Sequence, residues 1–236
     1  MKLQRLDKII SSQLNISRSV ARQDIRVGKV FVDGQLIRDP SFQADAQNSF
    51  IKHCGQPVVY KEYIYIMVNK PKGVLSASND KNRKTVVDLV PPELKRNELF
   101  PVGRLDKDTT GLLIITDDGD FAHNVISPKK NVIKTYRVVL DGNVTEEMVE
   151  IFKKGVVLAD GTKCKTAELL PLGENIAEIK IGEGKYHQIK RMFGTVGLGV
   201  NELERIAVGN LKLPIDLPYG ECRELDKGEI LAIFCD

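Results

Sequence analysis

The sequence predicts an α+β protein with a small N-terminal α/β domain and a larger domain built on a mixed, largely antiparallel sheet with flanking helices. Residues 1–40 hold eight basic and four acidic side chains, whereas the rest of the chain holds 27 and 28. A polar stretch over residues 46–62 resembles a linker. Beyond it, predicted strands outnumber helices and are joined by short turns, which is typical of antiparallel sheets. The predicted domains are residues 1–60, linker included, and residues 61–236.

The composition is that of an ordinary globular chain, with 42% hydrophobic and 28% charged residues. The first eight residues are charged throughout, and no apolar run approaches the roughly 20 residues needed to cross a bilayer. We therefore expect a cytoplasmic protein without membrane contact. Four cysteines lie far apart, so reduced thiols are expected and no metal site is predicted: Cys54, Cys164, Cys222 and Cys235.

Two short helices are predicted near the N-terminus. Apolar side chains recur at three- and four-residue steps at Leu6, Ile9 and Ile10, as on one face of a helix. Ser17 is a suitable N-cap for a second helix over residues 18–26. Three arginines at i, i+4 and i+8 share one face of that second helix: Arg18, Arg22 and Arg26.

A hairpin follows these helices, because Asp33-Gly34 is a strong turn signal between two short apolar runs. Helix, arginine-bearing helix and hairpin together resemble the S4 RNA-binding domain over residues 3–45. The resemblance implies that Arg18, Arg22 and Arg26 bind RNA, and phosphate contacts would make the affinity salt-sensitive and largely independent of sequence. The alternative is that the three arginines form a solvated helix face.

The most informative segment of the larger domain runs from Gly103 to Gly119. Its unbroken apolar run, Leu112 to Ile115, is bounded by turn residues and predicts a buried strand. Arg104 and Asp106 lie on the loop that enters this strand. A charged loop on a rigid strand is a common way to hold a catalytic group.

Further elements are predicted around this segment. Strands are expected at residues 63–68, 134–140 and 176–181, and a turn at residues 69–73. A helix is expected near residues 145–154, with Thr145 at its start, and another from about residue 187 to 196. Asp117 and Asp118 are interpreted as turn or capping residues.

Five segments in order, behind the S4-like region, resemble the pseudouridine synthases that modify ribosomal RNA: Asn69–Gly73, the Asp106 loop, Lys134–Tyr136, Gly184–Phe193 and Gly220–Leu225. The resemblance implies a catalytic domain with a central cleft and an isomerase that converts a uridine to pseudouridine. It implies Asp106 as the catalytic residue, and small-subunit ribosomal RNA as the substrate. The reaction moves one glycosidic bond and imports no group, so no cofactor is expected.

The sequence leaves the role of Asp106 open. A carboxylate can attack the sugar, attack the ring, or take a proton from C2′. Each role needs the ionised form, and burial alone would raise the pKa of a carboxyl group unless a cation lies nearby. Lys190 is the predicted partner and Arg191 the second choice; alternatively, both are surface cations of a helix.

Two other residues are predicted to contact the substrate. Tyr136 is the candidate platform on which the everted base stacks, since an extruded base needs a flat apolar face. Its alternative is an ordinary core tyrosine. Arg104 is expected to fill the space left by the flipped nucleotide or to contact a phosphate, with a structural salt bridge as its alternative.

Other functions remain open at this point. A non-catalytic RNA-binding or ribosome assembly factor would bind RNA through the three arginines, and Asp106 would have no chemical role. A hydrolase of nucleosides or sugars would pair Asp106 with Asp108, although the glycine-rich flanks disfavour the strand geometry that such a pair needs. A sibling synthase would act on large-subunit RNA. The expected partner is ribosomal RNA within a small-subunit assembly particle. The protein itself is expected to be a monomer.

Overall fold

The computed structural model describes residues 3–235, which fall into two compact units. The first unit runs to Ile64 and includes Lys95–Glu98, and the second holds Tyr65–Leu94 and the chain from Leu99 onward. Within the described residues, no helix combines the length and the apolar character needed to span a bilayer.

The described part of the first unit contains two helices and six short strands. They are β1 (Leu3–Arg5), α1 (Leu6–Gln13), α2 (Arg18–Arg26), β2 (Val30–Val32), β3 (Gln35–Ile37), β4 (Gln43–Asp45), β5 (Ile51–His53) and β6 (Gln56–Val58). Strands β3-β2-β5-β6 form an antiparallel sheet in that order, and β1 pairs with β4.

The predicted helices and hairpin of the first unit are confirmed. Ser17 caps α2, because its side chain accepts a hydrogen bond from the backbone N–H of Val20 at 3.3 Å. Leu6, Ile9 and Ile10 are fully buried in the core of this unit. The β2–β3 turn places Asp33 at a φ of 50°, a left-handed conformation that aspartate tolerates better than most residues.

The predicted linker over residues 46–62 is wrong. Strands β5 and β6 occupy much of it, and β5 pairs with β2 across three residues. Ile51 is 2% exposed and packs in the same core as α1. The polar composition misled the prediction because strands this short, with one solvated face, bury few side chains.

The second unit holds nine strands and four helices in its described part. They are β7 (Tyr65–Lys70), β8 (Phe100–Pro101), β9 (Thr110–Thr116), α3 (Gly119–Ile126), β10 (Lys134–Leu140), α4 (Glu146–Lys154), β11 (Ala167–Gly173), β12 (Ile176–Ile181), α5 (Gln188–Thr195), β13 (Val200–Val208), β14 (Leu211–Lys212), β15 (Cys222–Glu224) and α6 (Lys227–Ala232). The predicted strands and helices are all found, with ends shifted by a few residues at β7 and α5.

One sheet organises this unit, in the order β11-β12-β10-β13-β9-β7-β15, with β14 beside β13 and β8 beside β9. Strand β13 runs parallel to β9, and the other strand pairings in the described part of the sheet are antiparallel. The predicted mixed, largely antiparallel sheet is therefore confirmed.

Strand β9 lies in the interior of this sheet, between β13 and β7, and is buried along its whole length. At its start Gly111 has a φ of +99°, and a Cβ there would lie 2.3 Å from the carbonyl oxygen of Arg205 on β13. Arg205 is itself buried and donates from Nε to the carbonyl oxygen of Leu112 at 2.8 Å. This tight junction fixes the end of β9 from which the Asp106 loop emerges.

Candidate active site

The Asp106 loop links β8 to β9 and turns sharply just before β9. The backbone N–H of Thr109 donates to the carbonyl oxygen of Asp106 at 3.1 Å, which closes this turn. The side chain of Asp106 is 29% exposed, so the carboxylate is partly covered and still reachable. Arg104 is exposed on the same loop.

Lys70 holds this loop from beneath. It is fully buried at the end of β7, and its ammonium donates to the carbonyl oxygens of Thr109 at 2.8 Å, Pro71 at 3.1 Å and Lys107 at 3.3 Å. All three donors of the ammonium are thereby used. Burial lowers the pKa of Lys70 to about 8, against the opposing attraction of Asp108 and Asp106.

The turn after β7 adds further support to the loop. The backbone N–H of Gly73 donates to the carbonyl oxygen of Lys107 at 2.8 Å. The Ser76 hydroxyl donates to the carbonyl oxygen of Leu105 at 2.8 Å and accepts from the Leu105 N–H at 3.0 Å. Two successive predicted motifs, residues 69–73 and the Asp106 loop, are thus one hydrogen-bonded assembly.

Asp106 faces a small cavity of about 90 Å³. Its lining includes four of the predicted site residues: Arg104, Asp106, Tyr136 and Lys190. Tyr136 projects from β10 and is 8% exposed. A larger cavity of about 1130 Å³ lies elsewhere in the unit, and none of the predicted site residues line it.

The cations beside Asp106 differ from the prediction. Lys190 donates to the carboxylate of Asp108 at 2.5 Å, so it forms its ion pair with Asp108 and not with Asp106. This hydrogen bond is the largest cause of the lowered pKa of Asp108. Arg191 reaches away to Asp160 at 2.5 Å and does not line the cavity. Lys190 extends from the first turn of α5, from which the more exposed Asp108 is within reach.

His187 is the functional candidate that the sequence reasoning missed. Its Nε2 atom lies 3.5 Å from Oδ1 of Asp106. His187 precedes α5 with a φ of 46°, a left-handed conformation that is uncommon for a residue with a side chain. Its place in the predicted motif at residues 184–193 was a signal, but a loop residue's direction cannot be derived from sequence spacing.

A buried carboxylate holds the segment that carries His187. Glu183 is 8% exposed and accepts hydrogen bonds from the Lys185 ammonium at 2.6 Å and the Gln188 amide at 3.0 Å. The backbone N–H of Lys165 adds a third at 2.8 Å. Burial alone would raise the pKa of Glu183, but these hydrogen bonds together lower it below its ordinary value.

In the first unit, two arginines of the predicted face, Arg18 and Arg22, bind one buried carboxylate together with Arg5. Asp7 is fully buried and accepts from Arg18 at 2.6 Å, from Arg22 at 2.9 Å and from Arg5 at 3.2 Å. Burial opposes ionisation of Asp7, but these hydrogen bonds lower its pKa well below the usual range. The three guanidinium groups remain close to half exposed, and Arg26 is exposed one turn further along α2.

The comparisons with known proteins agree with this architecture. Residues 64–195 match the RNA pseudouridylate synthase family, and residues 4–48 match the S4 domain. The chain is 41% identical to an uncharacterized RNA pseudouridine synthase of Bacillus subtilis over 96% of each chain. It is 38% identical to ribosomal small subunit pseudouridine synthase A of Escherichia coli, covering 97% of this chain and 99% of the relative.

One solved structure, a crystal structure of a pseudouridylate synthase, superposes with a TM-score of 0.69 at 34% identity, covering 97% of this chain and 99% of that one. Fold and site together define an RNA-modifying enzyme with a separate S4 unit. The chain belongs to the RNA pseudouridylate synthase family and is an isomerase. The resemblance found in the sequence is thereby confirmed.

Proposed function

We propose that this protein converts one uridine of small-subunit ribosomal RNA to pseudouridine and that Asp106 is its catalytic carboxylate. The observation that carries the proposal is the position of Asp106, partly covered at a cavity that Tyr136 also lines. The relative named for the small ribosomal subunit supports the choice of RNA, because similarity to it extends over nearly the whole of both chains.

The proposed mechanism assigns each cavity residue a task. Tyr136 offers a flat ring to the everted uracil, and Asp106 acts on the sugar or the base while the glycosidic bond moves from N1 to C5. Arg104, exposed on the same loop, contacts a phosphate or fills the gap in the RNA. These steps need no cofactor, because no atom is gained or lost overall.

Several polar side chains surround Asp106. His187 lies 3.5 Å from its carboxylate, and the ammonium groups of Lys70 and Lys190 place positive charge around the loop. We propose that Lys190 affects catalysis indirectly, through its ion pair with Asp108 on the Asp106 loop. Arg191 likewise contributes indirectly, through its ion pair with Asp160. Shared support of this kind keeps a carboxylate ionised as water leaves the cavity.

Binding and chemistry are divided between the units in this proposal. Arg18, Arg22 and Arg26 contact phosphates of the ribosomal RNA, and the Asp106 cavity selects the uridine. We further propose a cytoplasmic monomer that recognises its target within a small-subunit assembly particle. Separate assays of naked RNA, early particles and finished subunits would identify the preferred substrate.

The test measures tritium released from RNA labelled at C5 of uridine, because C5 must lose its hydrogen when it bonds to C1′. Wild-type enzyme should release tritium from small-subunit RNA or its particles, and not from large-subunit RNA. Asp106→Asn should reduce the rate at least about 100-fold while RNA binding changes little. The matched control, Asp120→Asn, removes an exposed carboxylate of the same unit that does not line the cavity and should change the rate by less than about twofold.

Three outcomes would contradict the proposal. Free uracil as the product would indicate a hydrolase. Release from large-subunit RNA alone would indicate the sibling activity. No release from any ribosomal substrate, together with unimpaired RNA binding, would indicate a non-catalytic factor.

A further inference from the structure

Tyr186 is an aromatic side chain left open to solvent next to the candidate active site. It is 73% exposed, in a chain with no tryptophan and six tyrosines. One face of its ring lies on the imidazole of His187, with ring centroids 3.9 Å apart and planes inclined by 17°. The two rings therefore form a parallel stack whose outer face is that of Tyr186.

The stack is firmly anchored to the wall of the Asp106 cavity. The backbone N–H of Arg191 donates to the carbonyl oxygen of His187 at 2.9 Å, and the Arg191 guanidinium donates to that of Tyr186 at 3.4 Å. On the other side, Glu183 binds the Lys185 ammonium at 2.6 Å. The backbone that carries the two rings is thus held on both sides, and the contact with His187 orients the Tyr186 ring.

The position of the stack relates it to the target nucleotide. His187 lies 3.5 Å from Asp106 and lines the cavity, so its ring is beside the site of the everted base. Tyr186 is the next ring outward from His187 and is not part of the cavity lining. A nucleotide next to a base everted into this cavity would lie within reach of the Tyr186 ring. Arg104 and Lys185 line the same cavity and supply positive charge for the strand.

We propose that Tyr186 and His187 form a stacking ledge that binds the nucleobase next to the target uridine. The inference rests on the proposed function and adds a second base-binding subsite to it. The base lies on the outer face of Tyr186 and continues the stack toward His187. Since every base has a flat π-face, this ledge contributes affinity for an unpaired neighbour without demanding its identity.

The experiment is single-turnover tritium release from a small-subunit RNA transcript labelled at C5 of uridine, over a series of enzyme concentrations. It yields the half-saturating enzyme concentration and the maximal rate constant separately. Tyr186→Leu should raise the half-saturating concentration roughly 5- to 100-fold, as expected for the loss of one base–aromatic stack, with a smaller change in maximal rate. Tyr186→Phe keeps the ring and should restore most of the affinity.

The matched control is Tyr219→Leu, which removes another exposed tyrosine of the same unit, 59% exposed and outside the cavity lining. It should leave both constants unchanged. Thermal melting checks that Tyr186→Leu is folded, and filter binding of the same transcript repeats the affinity comparison without catalysis.

The proposal fails if Tyr186→Leu binds as tightly as wild type, or if Tyr186→Phe is as weak as Tyr186→Leu, which would assign the effect to the hydroxyl. A collapse of the maximal rate with unchanged half-saturation would instead show that Tyr186 only supports His187. Absence of tritium release by the wild-type enzyme would count against the proposed function itself. Filter binding would still test whether the Tyr186 ring contributes to RNA affinity.

Discussion

The ammonium of Lys70 lies 2.8 Å from the carbonyl oxygen of Thr109, at a depth where no part of Lys70 is exposed. The same ammonium binds the carbonyl oxygen of Lys107 at 3.3 Å. These two carbonyls belong to the short segment between Asp106 and β9. Lys70 therefore fixes the loop that presents Asp106, although it does not line the cavity.

Lys70→Met should slow the reaction without weakening RNA binding. The methionine retains most of the buried volume but removes the ammonium that joins three carbonyl oxygens. Among the described residues, only the carbonyl of Lys107 keeps another donor, the N–H of Gly73, so the Asp106 loop can shift. A displacement near 1 Å at a reacting group can cost about 100-fold in rate. We expect the maximal rate of tritium release to fall about 10- to 100-fold, with half-saturation unchanged within about twofold.

The control for this prediction is Lys72→Met, two residues along the chain. Lys72 is exposed and pairs only at the surface with Glu202 at 3.4 Å, a contact that contributes little. Equal losses in the two variants would mean that positive charge near the loop, rather than burial of Lys70, matters.

The pKa of Lys70 predicts a pH-dependent difference in stability. Its folded pKa, about 8, is below the ordinary value of 10.5, so between these values the unfolded chain binds more protons than the folded chain. Charged Lys70 is thus a cost below pH 8 that is relieved as the pH rises. From pH 8 to pH 10, wild type should gain about 2 kcal/mol of unfolding free energy relative to Lys70→Met.

Urea denaturation of both proteins at pH 8, 9 and 10 measures this difference. The comparison with the variant is essential, because burial raises the pKa of Cys222 to about 12 and so lowers stability over the same pH range in both proteins. Parallel pH profiles for the two proteins would show that Lys70 is not buried as a cation.

In the first unit, Asp7→Asn should loosen the arginine face. The amide keeps the shape of the carboxylate, but it replaces one acceptor oxygen by a donor and removes the charge that holds Arg18 and Arg22. We expect a loss of about 2 kcal/mol in the unfolding free energy of this unit at pH 7. Because the folded pKa of Asp7 is depressed, this contribution is lost in wild type as the pH falls into the acid range.

Hydrogen exchange at the amides of α1 and α2 measures the effect within the full chain. Asp39→Asn is the control, since the Asp39 side chain is exposed. Its carboxylate accepts hydrogen bonds from Ser41 and is attracted by the nearby charge of Arg5. If Asp7→Asn leaves exchange protection unchanged, Asp7 does not anchor the arginines.

The sequence predicted those parts of the fold whose signals are local. Strand β10 and helix α4 follow from apolar periodicity and from the capping residue Thr145, which accepts from the N–H of Met148 as expected. The parallel pairing of β13 with β9 joins residues about 90 positions apart and leaves no local trace. The short β5–β6 hairpin was missed because its alternating polar residues resemble a linker.

The site was predicted to a similar extent. The loop position indicated a firmly held charged group, and the family resemblance indicated Asp106; Tyr136 lines the same cavity, and the roles of both residues stay predictions. The ion-pair partner of Lys190 was not predictable, because the conformation of the loop decides whether this long flexible side chain reaches Asp106 or Asp108. The burial of Lys70 contradicts the usual exposure of lysine, so only coordinates could reveal it.

Gly111→Ala should be the most damaging single methyl addition near the site. Its Cβ would lie 2.3 Å from the Arg205 carbonyl oxygen and 2.8 Å from the Arg205 nitrogen, both backbone atoms that cannot swing aside. The residue would also be forced to a φ of +99°, which alanine rarely adopts. Overpacking and this strain together should cost about 3 kcal/mol or more, which lowers the melting temperature by about 6–12 °C.

The control is Gly119→Ala at the start of α3, where nothing lies within 4 Å of the added methyl and stability should change by less than about 1 kcal/mol. Differential scanning calorimetry compares the two variants, and equal melting temperatures would refute the close contact between β9 and β13 on which the position of the Asp106 loop depends.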